Sequence, residues 1–282
     1  MSVFHGAEVW IALSIGNTHC RWGYGVGDQI TQTWITSHSP DCGPSLGSDW
    51  ATWLTQSPAL AAYAQHDCDP FPVLWLASVV PTQTMRWQTY PRLHPLSIEA
   101  VPIGHVYFGL GVDRALALWA AGTHQGWPVL VIDAGTALTF SGADAQAQFK
   151  GGAILPGLGL QFRSLAAATA LPLAPIPPHP PHRWARDTQT ALQSGIFYGT
   201  LACIIHFIET WLQQFPNSAL VFTGGDAQQL VKGIQSESSE ATAPWVKQMV
   251  WEPELIFKGM ALIRRENLST QTPSTHCQTQ PQ

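Results

Sequence analysis

Four short apolar segments of the chain, at residues 9–13, 73–80, 128–132 and 219–222, have the pattern of buried β-strands. Each is rich in β-branched residues and is bounded by residues that favour turns. Small or polar residues follow each segment. Ligands of α/β proteins bind beyond the carboxyl ends of such strands. The pattern therefore predicts one ligand site that is assembled from distant parts of the chain.

Helical segments alternate with these strands. An Ala- and Leu-rich helix is predicted at 114–121, and the Gly122 that follows is a residue type that commonly ends a helix. A longer, mostly apolar helix that is interrupted by Gly195 and Gly199 is predicted within 188–214, and an amphipathic helix at 255–267. The alternation favours an α/β fold. Glycine-bearing strand ends in both halves of the chain also suggest a duplicated architecture.

Three segments have the composition of irregular structure. Residues 172–181 are so rich in proline that they predict an extended loop. Residues 235–242 are polar and predict a surface loop. Residues 269–282 predict a disordered tail.

Composition and charge narrow the class of protein. The chain has 282 residues, of which 45% are hydrophobic and 11% are charged, so a globular core is expected. The net charge is −5, and the chain has no cluster of Lys and Arg. A chain of this charge lacks the basic surface of a nucleic-acid-binding protein, so we expect no nucleic-acid partner.

The cysteines and the apolar runs predict a soluble, cytoplasmic protein. The five cysteines, at positions 20, 42, 68, 203 and 277, are dispersed and lack the spacing of a zinc site, which predicts reduced thiols. The first residues lack the pattern of a secretory signal peptide. No apolar run approaches the roughly 18 residues of a membrane span, so no membrane partner is expected.

One candidate for chemistry is Asp113, which is followed by Arg114 where a turn leads into the first predicted helix. Asp at a helix start commonly serves as an N-cap. Alternatively, Asp113 is a general base, and Arg114 binds an anionic substrate beside it. Both interpretations remain open from the residues alone, because a helix start also stabilises carboxylates and attracts anions.

A second candidate is Asp133, which follows the third apolar segment and precedes Gly135 and Thr136. A carboxylate in this place can hold a cation, while a Gly-Thr amide and hydroxyl can contact phosphate oxygens. The alternative is an ordinary hairpin turn. Gly224 and Gly225 follow the last segment and would let a phosphate or a flat ring approach the backbone, although by itself such a pair is more typical of a plain turn.

Other segments also allow both a structural and a functional interpretation. Residues 14–21 contain a glycine turn after a strand, which fits either a phosphate-binding loop or a hairpin. Thr188 is either an ordinary residue at a helix start or a substrate ligand. The glycines between 149 and 173 are expected to serve turns and packing.

Taken in order, these segments resemble the acetate-kinase, sugar-kinase, Hsp70 and actin superfamily, and most closely the type III pantothenate kinases. The resemblance extends from residue 12 to about residue 267 and rests on IGNT, GVDR, VIDAGTALTF, GGAILPGLGLQFRSLAAATALP, LQSGIFYG and FTGGDA, which occur in the family's order. It implies an α/β fold of two ribonuclease-H-like (actin-like ATPase) halves, each a mixed sheet flanked by helices. The halves would be residues 1–122 and 123–268.

The resemblance also implies an activity. Members of the family use ATP with Mg²⁺ to phosphorylate pantothenate to 4'-phosphopantothenate, the first step of coenzyme A biosynthesis. They need a monovalent cation, K⁺ or NH₄⁺, and are homodimers. Asp113 would be the general base, and Asp133 would bind the monovalent cation. The residues that would bind pantothenate are Tyr107, Gly111, Val112, Asp113, Arg114 and Thr188. Those that would bind ATP are Ser14, Ile15, Gly16, Asn17, Thr18, His19, Cys20, Arg21, Thr136, Gly224 and Gly225.

One residue departs from the family's pattern. The family's first turn usually begins with Asp, whereas this chain has Ser14. In a working kinase, the missing charge would leave Mg²⁺ to be held mainly by the nucleotide and water. The alternative is a catalytically impaired, nucleotide-binding regulatory relative of the same fold. A further alternative keeps ATP and changes the anionic acceptor.

Overall fold

The computed structural model describes residues 8–38, 50, 52, 71–238 and 243–271. These residues form two five-stranded sheets. The first sheet contains β1 (Val9–Ile15), β2 (His19–Val26), β3 (Gln29–Ser37), β4 (Val73–Ser78) and β5 (Leu93–Leu96). The second contains β6 (Val129–Ala134), β7 (Ala137–Ala143), β8 (Phe149–Pro156), β9 (Ala219–Thr223) and β10 (Met249–Trp251).

The two sheets have the same topology. The strand order is β3-β2-β1-β4-β5 in the first sheet and β8-β7-β6-β9-β10 in the second. In each sheet the central strand, β1 or β6, pairs antiparallel with the next strand and parallel with a later one. This equivalence confirms the α/β fold and the duplicated architecture that the sequence predicts.

The helices repeat the same order. Helices α1 and α5 follow the equivalent strands β4 and β9, and α2 and α6 follow β5 and β10. Short 3₁₀ turns lie at Ile98–Ala100 and Pro244–Gln248. The α-helices in the described part of the chain are α1 (Pro81–Trp87), α2 (Val112–Gln125), α3 (Leu158–Ala168), α4 (Thr188–Gln214), α5 (Ala227–Glu237) and α6 (Leu255–Gln271).

Helices α2 and α6 pack between the two sheets. Their buried apolar side chains meet side chains of β1 and β4 from one sheet and of β6 and β9 from the other. The helices approach closely at Gly259, where a Cβ would lie 2.3 Å from the carbonyl oxygen of Leu116. The alternate residues of β1 and β6 are buried on the opposite faces. Because both faces of the central strands are covered, these strands are continuous apolar runs in the sequence.

Helix α2 is longer than predicted, since it begins at Val112 and ends at Gln125. The prediction that Gly122 ends it is wrong, because this glycine lies inside the helix and makes room for a tryptophan. A Cβ at position 122 would lie 2.2 Å from the ring of Trp127. The residue that follows the helix is Gly126, with a φ of 94°. The amphipathic helix predicted at 255–267 and the four predicted strands are confirmed, with shifted ends. Helix α4 has the predicted ends, but it is continuous, so the predicted interruption at Gly195 and Gly199 is wrong.

The predicted loops are confirmed only in part. The proline-rich segment 172–181 has neither helix nor strand, and two of its carbonyls accept hydrogen bonds from glutamines of α4 and α5. The polar loop predicted from residue 235 starts later, because α5 continues through 237. The first three residues of the tail predicted from 269 belong to α6, which continues through 271, so the prediction is wrong for them. Residues 239–242 and 272–282 lie outside the described residues.

Helix α4 qualifies the expectation that no segment is long and apolar enough to cross a membrane. By length and composition alone, it is the one helix in the described part of the chain that passes this test. One of its faces, including Phe197, Leu201 and Ile204, is buried in the core beside the second sheet. This packing is typical of a core helix in a soluble protein, so the apolar length is weak evidence for a membrane span.

Cys20 departs from the expectation of reduced thiols. It is disulfide-bonded in the structure, so that expectation is wrong for this residue. Cys203, the other cysteine in the described part of the chain, is free. Cys20 has no exposed surface.

Candidate active site

A cleft lies where the ends of the central strands β1 and β6 meet the beginning of α2. Its volume is about 270 Å³. Distant segments of the chain line it together, as the strand ends lead one to expect. The predicted site residues that line it are Ser14, Gly16, Asn17, Thr18, His19, Arg21, Tyr107, Gly111, Asp113, Arg114, Asp133 and Thr136.

The turn between β1 and β2 forms one wall of the cleft. The Gly16 amide donates to the carbonyl oxygen of His19 (3.1 Å), which closes the turn. Ser14 precedes the turn, is 4% exposed and lies opposite Arg21 in the strand ladder. The backbone amides of residues 17 and 18 have no hydrogen-bond partner among the described residues. This wall therefore offers backbone donors and a guanidinium, which are groups that bind phosphate.

The turn between β6 and β7 forms the facing wall. The Gly135 amide donates to the carbonyl oxygen of Ala137 (3.1 Å). The segment is therefore a tight hairpin, which was one of the two alternatives that the sequence left open. The Thr136 hydroxyl donates to the hydroxyl of Thr18 (3.0 Å). This hydrogen bond joins the two strand ends across the cleft, so a ligand of one turn lies within reach of the other.

Asp133 lies near the end of β6, in register with Thr223 of the neighbouring strand β9. Its Oδ1 is buried and has no hydrogen-bond partner in the described part of the chain, and the same is true of the Thr223 hydroxyl oxygen. Burial raises the pKa of Asp133 to about 6, although the positive charge of Arg21 opposes this shift. A buried carboxylate oxygen without a partner fits a cation, because hard cations take oxygen ligands.

Asp113 is the second residue of α2, and the N-cap is Gly111, so the N-cap interpretation of this aspartate is wrong. Its Oδ1 accepts a hydrogen bond from the Arg114 amide (2.8 Å). A Cβ at position 111 would lie 2.4 Å from that oxygen, so a glycine there leaves space for the carboxylate. Burial raises the pKa of Asp113, while the Arg114 amide and the charges of Arg114 and Arg21 oppose the shift. The raised pKa makes this carboxylate a stronger base.

The guanidinium of Arg114 is fixed by three acceptors. Its Nε donates to Ser141 Oγ (3.0 Å), its Nη1 to the Tyr107 hydroxyl (3.1 Å) and its Nη2 to the Phe140 carbonyl oxygen (2.7 Å). A guanidinium has five N–H groups, so two remain for a ligand. A fixed planar cation beside Asp113 suits the recognition of a carboxylate.

Some predicted site residues do not line the cleft. Three of them are buried behind it, and Gly224 lies against the Ala134 backbone at the end of β6. Thr188 is the first residue of α4, which contributes no residue to the lining. The predicted residues outside the lining are Ile15, Cys20, Val112, Thr188, Gly224 and Gly225.

The lining also includes residues that the sequence reasoning missed, among them Thr139 of β7, Ile154 of β8 and Ile256 of α6. Ile154 is 64% exposed on a strand whose alternate residues are exposed. That alternation is the signal that could have placed it on the open face of the sheet. Ile256 reaches the cleft only because α6 packs there, so the sequence around it does not indicate that it belongs to the site.

Known proteins resemble this chain over most of its length. The family model of the type III pantothenate kinases matches residues 10–210. The type III pantothenate kinase of Nostoc sp. is 39% identical over 270 residues, which cover 93% of this chain and 96% of that protein. The type III pantothenate kinase of Synechococcus elongatus is 43% identical over 226 residues, which cover 79% of this chain and 86% of that protein.

Two solved structures share the fold. A Campylobacter jejuni protein described as a Baf family transcriptional activator has a TM-score of 0.59 at 19% identity, over 92% of this chain and 99% of its own. A Sinorhizobium meliloti protein described as a 2-dehydro-3-deoxygalactonokinase has a TM-score of 0.54 at 13% identity, over 96% of this chain and 100% of its own. At these identities the likeness shows the fold alone. The sequence matches go further, and they show that this chain belongs to the type III pantothenate kinase family.

Proposed function

We propose that this protein transfers the γ-phosphoryl group of ATP to the primary hydroxyl of pantothenate, forming 4'-phosphopantothenate at the first step of coenzyme A biosynthesis. The observation that carries the proposal is the cleft, in which Asp113 and Arg114 lie together with both strand-end turns. A base, an anion-binding cation and phosphate-binding amides are the groups that this transfer needs.

The chemistry follows from the positions of these groups. Because the Arg114 amide occupies Oδ1 of Asp113, Oδ2 takes the hydroxyl proton. The hydroxyl oxygen forms the new bond to the γ-phosphorus, and ADP leaves with the electron pair of the broken P–O bond. Arg114 binds the pantothenate carboxylate, while Arg21 and the amides of residues 17 and 18 bind the phosphates.

Two cations complete the proposed site. Asp133 binds the monovalent cation, K⁺ or NH₄⁺, through its buried Oδ1, which would supply fixed positive charge near the phosphates. Ser14 brings a hydroxyl but no carboxylate to the opposite wall. This fits Mg²⁺ that is held mainly by the nucleotide phosphates and by water, which is its usual mode of binding with ATP.

A homodimer would explain the position of Thr188. This residue lies outside the cleft, so it contacts pantothenate only if a second copy presents it. Large apolar side chains are exposed in this part of the chain: Trp184, four residues before Thr188, is 88% exposed, and Leu165 of α3 and Phe207 of α4 are each 37% exposed. Exposed apolar side chains of this size favour burial against a partner.

Mixing two inactive variants tests this arrangement. Thr188→Val and Asp113→Asn are each expected to have little activity alone. When the two are co-refolded, each heterodimer has one site with an intact Asp113 and an intact Thr188 from the other copy. About a quarter of the wild-type activity should return. If the two variants remain inactive when mixed, the partner does not supply Thr188.

The regulatory alternative rests on Ser14 alone. The candidate base, the anion-binding arginine and the carboxylate at the cation site are all in place. The solved structure described as a transcriptional activator shares only the fold. No observation favours an impaired relative over a working kinase.

The remaining expectations are part of the same proposal. The buried face of α4 supports a soluble protein, and we place it in the cytoplasm, with no nucleic-acid or membrane partner. The first sheet ends before α2 and the second begins after it, which supports a division into halves near residue 122. The exact boundary, 1–122 and 123–268, stays a prediction.

The proposal is tested by measuring ADP release from the purified protein with ATP, Mg²⁺ and K⁺, with and without pantothenate. ADP release should depend on pantothenate, and Asp113→Asn should lower kcat by about 10³-fold because the base is lost. Loss of turnover in the wild type, with ATP still bound in calorimetry, would favour the regulatory alternative. If turnover requires an organic acid other than pantothenate, the protein is still a kinase, but its phosphoryl acceptor is that acid.

A further inference from the structure

A histidine lies behind the turn between β1 and β2. His38 follows the end of β3, and it is not part of the cleft lining. Its Nε2 lies 2.6 Å from the carbonyl oxygen of Gly16. Because a carbonyl oxygen can only accept, Nε2 carries the hydrogen and donates it. The imidazole is therefore a support for the turn from outside the cleft.

The peptide bond between Gly16 and Asn17 is the part of the turn that this contact orients. In a trans peptide the C=O and N–H bonds point in opposite directions. Holding the Gly16 oxygen on His38 therefore directs the Asn17 N–H away from His38. Both Asn17 and Thr18 line the cleft, so this is the side on which a phosphate would lie.

A glycine turn needs such a support. Glycine has more conformational freedom than any other residue, so its peptide plane can rotate in the absence of a ligand. The amide side of Gly16 is already held by the carbonyl oxygen of His19. The hydrogen bond from His38 holds its carbonyl side as well, and the turn is then fixed before ATP arrives.

Contacts between β2 and β3 hold His38 in its position. The residue before it, Ser37, pairs with His19 at the end of the β2–β3 ladder. On the same ladder the Trp22 indole donates to the Thr36 hydroxyl (3.0 Å). The Trp22 and Trp34 rings stack with their centroids 5.9 Å apart. These contacts fix the end of β3, and with it the imidazole.

We propose that His38 is a positioning residue that orients the Asn17 amide for the phosphates of ATP. The proposal rests on the phosphate-binding role proposed above for this turn. It assigns to β3 a part in nucleotide binding that does not involve contact with the nucleotide.

Three substitutions of His38 test the hydrogen bond. His38→Leu removes the donor, and a net hydrogen bond of about 1.5 kcal/mol corresponds to about a tenfold rise in the Kd and KM for ATP. The KM for pantothenate should stay within about twofold, because Asp113 and Arg114, which are proposed to bind it, belong to the start of α2 and not to this turn. His38→Gln places an amide donor where Nε2 was and should restore ATP binding to within about threefold. His38→Asn is too short and should behave as His38→Leu.

Thr31→Val is the matched control, because the Thr31 hydroxyl donates to the Tyr24 carbonyl oxygen (3.1 Å) near the other end of β3, away from His38 and the turn. It should lower the melting temperature and leave the Kd for ATP unchanged. The proposal is overturned if this control weakens ATP binding as much as His38→Leu. It is also overturned if His38→Leu leaves ATP binding unchanged or weakens both substrates equally, or if the folded glutamine variant fails to restore binding.

Failure of the underlying site can be recognised separately. Thr18→Val changes the turn itself and should weaken ATP binding in calorimetry. If neither it nor His38→Leu has an effect, the phosphate role of the turn is wrong. If only Thr18→Val has an effect, the turn binds ATP and the positioning role of His38 alone is wrong.

Discussion

The central strands β1 and β6 are equivalent in topology, yet they bring different chemistry to the cleft. Near the end of β1 lies Ser14, with Arg21 opposite it on β2. Near the end of β6 lies Asp133, which has Thr139 and Thr223 as neighbours on the adjacent strands. One end has a neutral hydroxyl beside a guanidinium and backbone amides that are unpaired in the described part of the chain, and the other has a buried carboxylate. The duplicated scaffold thus gives one strand end suited to phosphate and another suited to a cation.

This difference has an energetic consequence. Among the described residues the Oδ1 of Asp133 has no hydrogen-bond partner, and burial raises the pKa of this carboxyl, so its charged form is destabilised in the absence of a cation. Ser14 is also buried but carries no charge, so its position imposes no such penalty. The second strand end is therefore expected to depend on its ligand for stability more than the first.

Removing the charge from the second strand end should have the largest effect. Asp133→Asn is expected to lower kcat by about 10²-fold, because the proposed cation that would neutralise phosphate charge loses its carboxylate ligand. The same change should raise the free energy of unfolding by about 1–2 kcal/mol in K⁺-free buffer at pH 8, because no buried charge remains. Kinetics and thermal melts measure the two effects. A variant that is both less active and less stable would contradict the account of this carboxylate.

The pH dependence should follow the same carboxylate. The pKa of Asp133 is raised to about 6, so cation binding and kcat should fall as the pH falls through this value, by about tenfold per unit. Stability should change in the opposite sense. Between about pH 4 and 6 the folded state binds more protons than the unfolded state, so the contribution of Asp133 to stability falls as the pH rises.

The corresponding measurements are the kcat profile and denaturant unfolding without K⁺, both between pH 4.5 and 8. Asp133 contributes a negative slope to the plot of the free energy of unfolding against pH between about pH 4 and 6. In Asp133→Asn this contribution is absent, so the slope should become less negative. An identical slope in the variant would assign the pH dependence to other groups, and Asp113 would be the first to test because burial also raises its pKa.

Making the two strand ends alike should have a smaller effect. Ser14→Asp adds a carboxylate to the phosphate-binding wall and should lower the Mg²⁺ concentration for half-maximal activity by about three- to tenfold. Ser14→Ala is the control, because it removes the hydroxyl without adding charge. An unchanged Mg²⁺ titration in Ser14→Asp would mean that this position does not influence the metal.

The central strands and the order of the strand ends are predictable from the sequence for a physical reason. Strands that are buried on both faces are continuous apolar runs, so β1, β4, β6 and β9 are visible without tertiary information. The strand β2 is not, because it contains Gly23 and Gly25, which are unfavourable in strands. Position 25 must be small because the Trp10 ring fills the space of a Cβ, which would lie 2.2 Å away.

The residues of the candidate site also differ in whether the sequence alone reveals them. Asp113, Arg114, Asp133 and the residues of the first turn are visible as motifs in a recognisable order. His38 and Ile256 reach the cleft region only through the pairing of β3 and the packing of α6, so no local pattern marks them. The position of Thr188 outside the cleft likewise depends on tertiary structure.

The most direct test of this division of roles is the effect of K⁺ on the melting temperature without substrates. Wild-type protein should be stabilised by K⁺ at pH 8 in a saturable manner, because the proposed site at Asp133 exists only in the folded state. Asp133→Asn should show no such stabilisation, while Ser14→Ala should keep it. Equal stabilisation of wild type and Asp133→Asn would contradict the assignment of the cation to the second strand end.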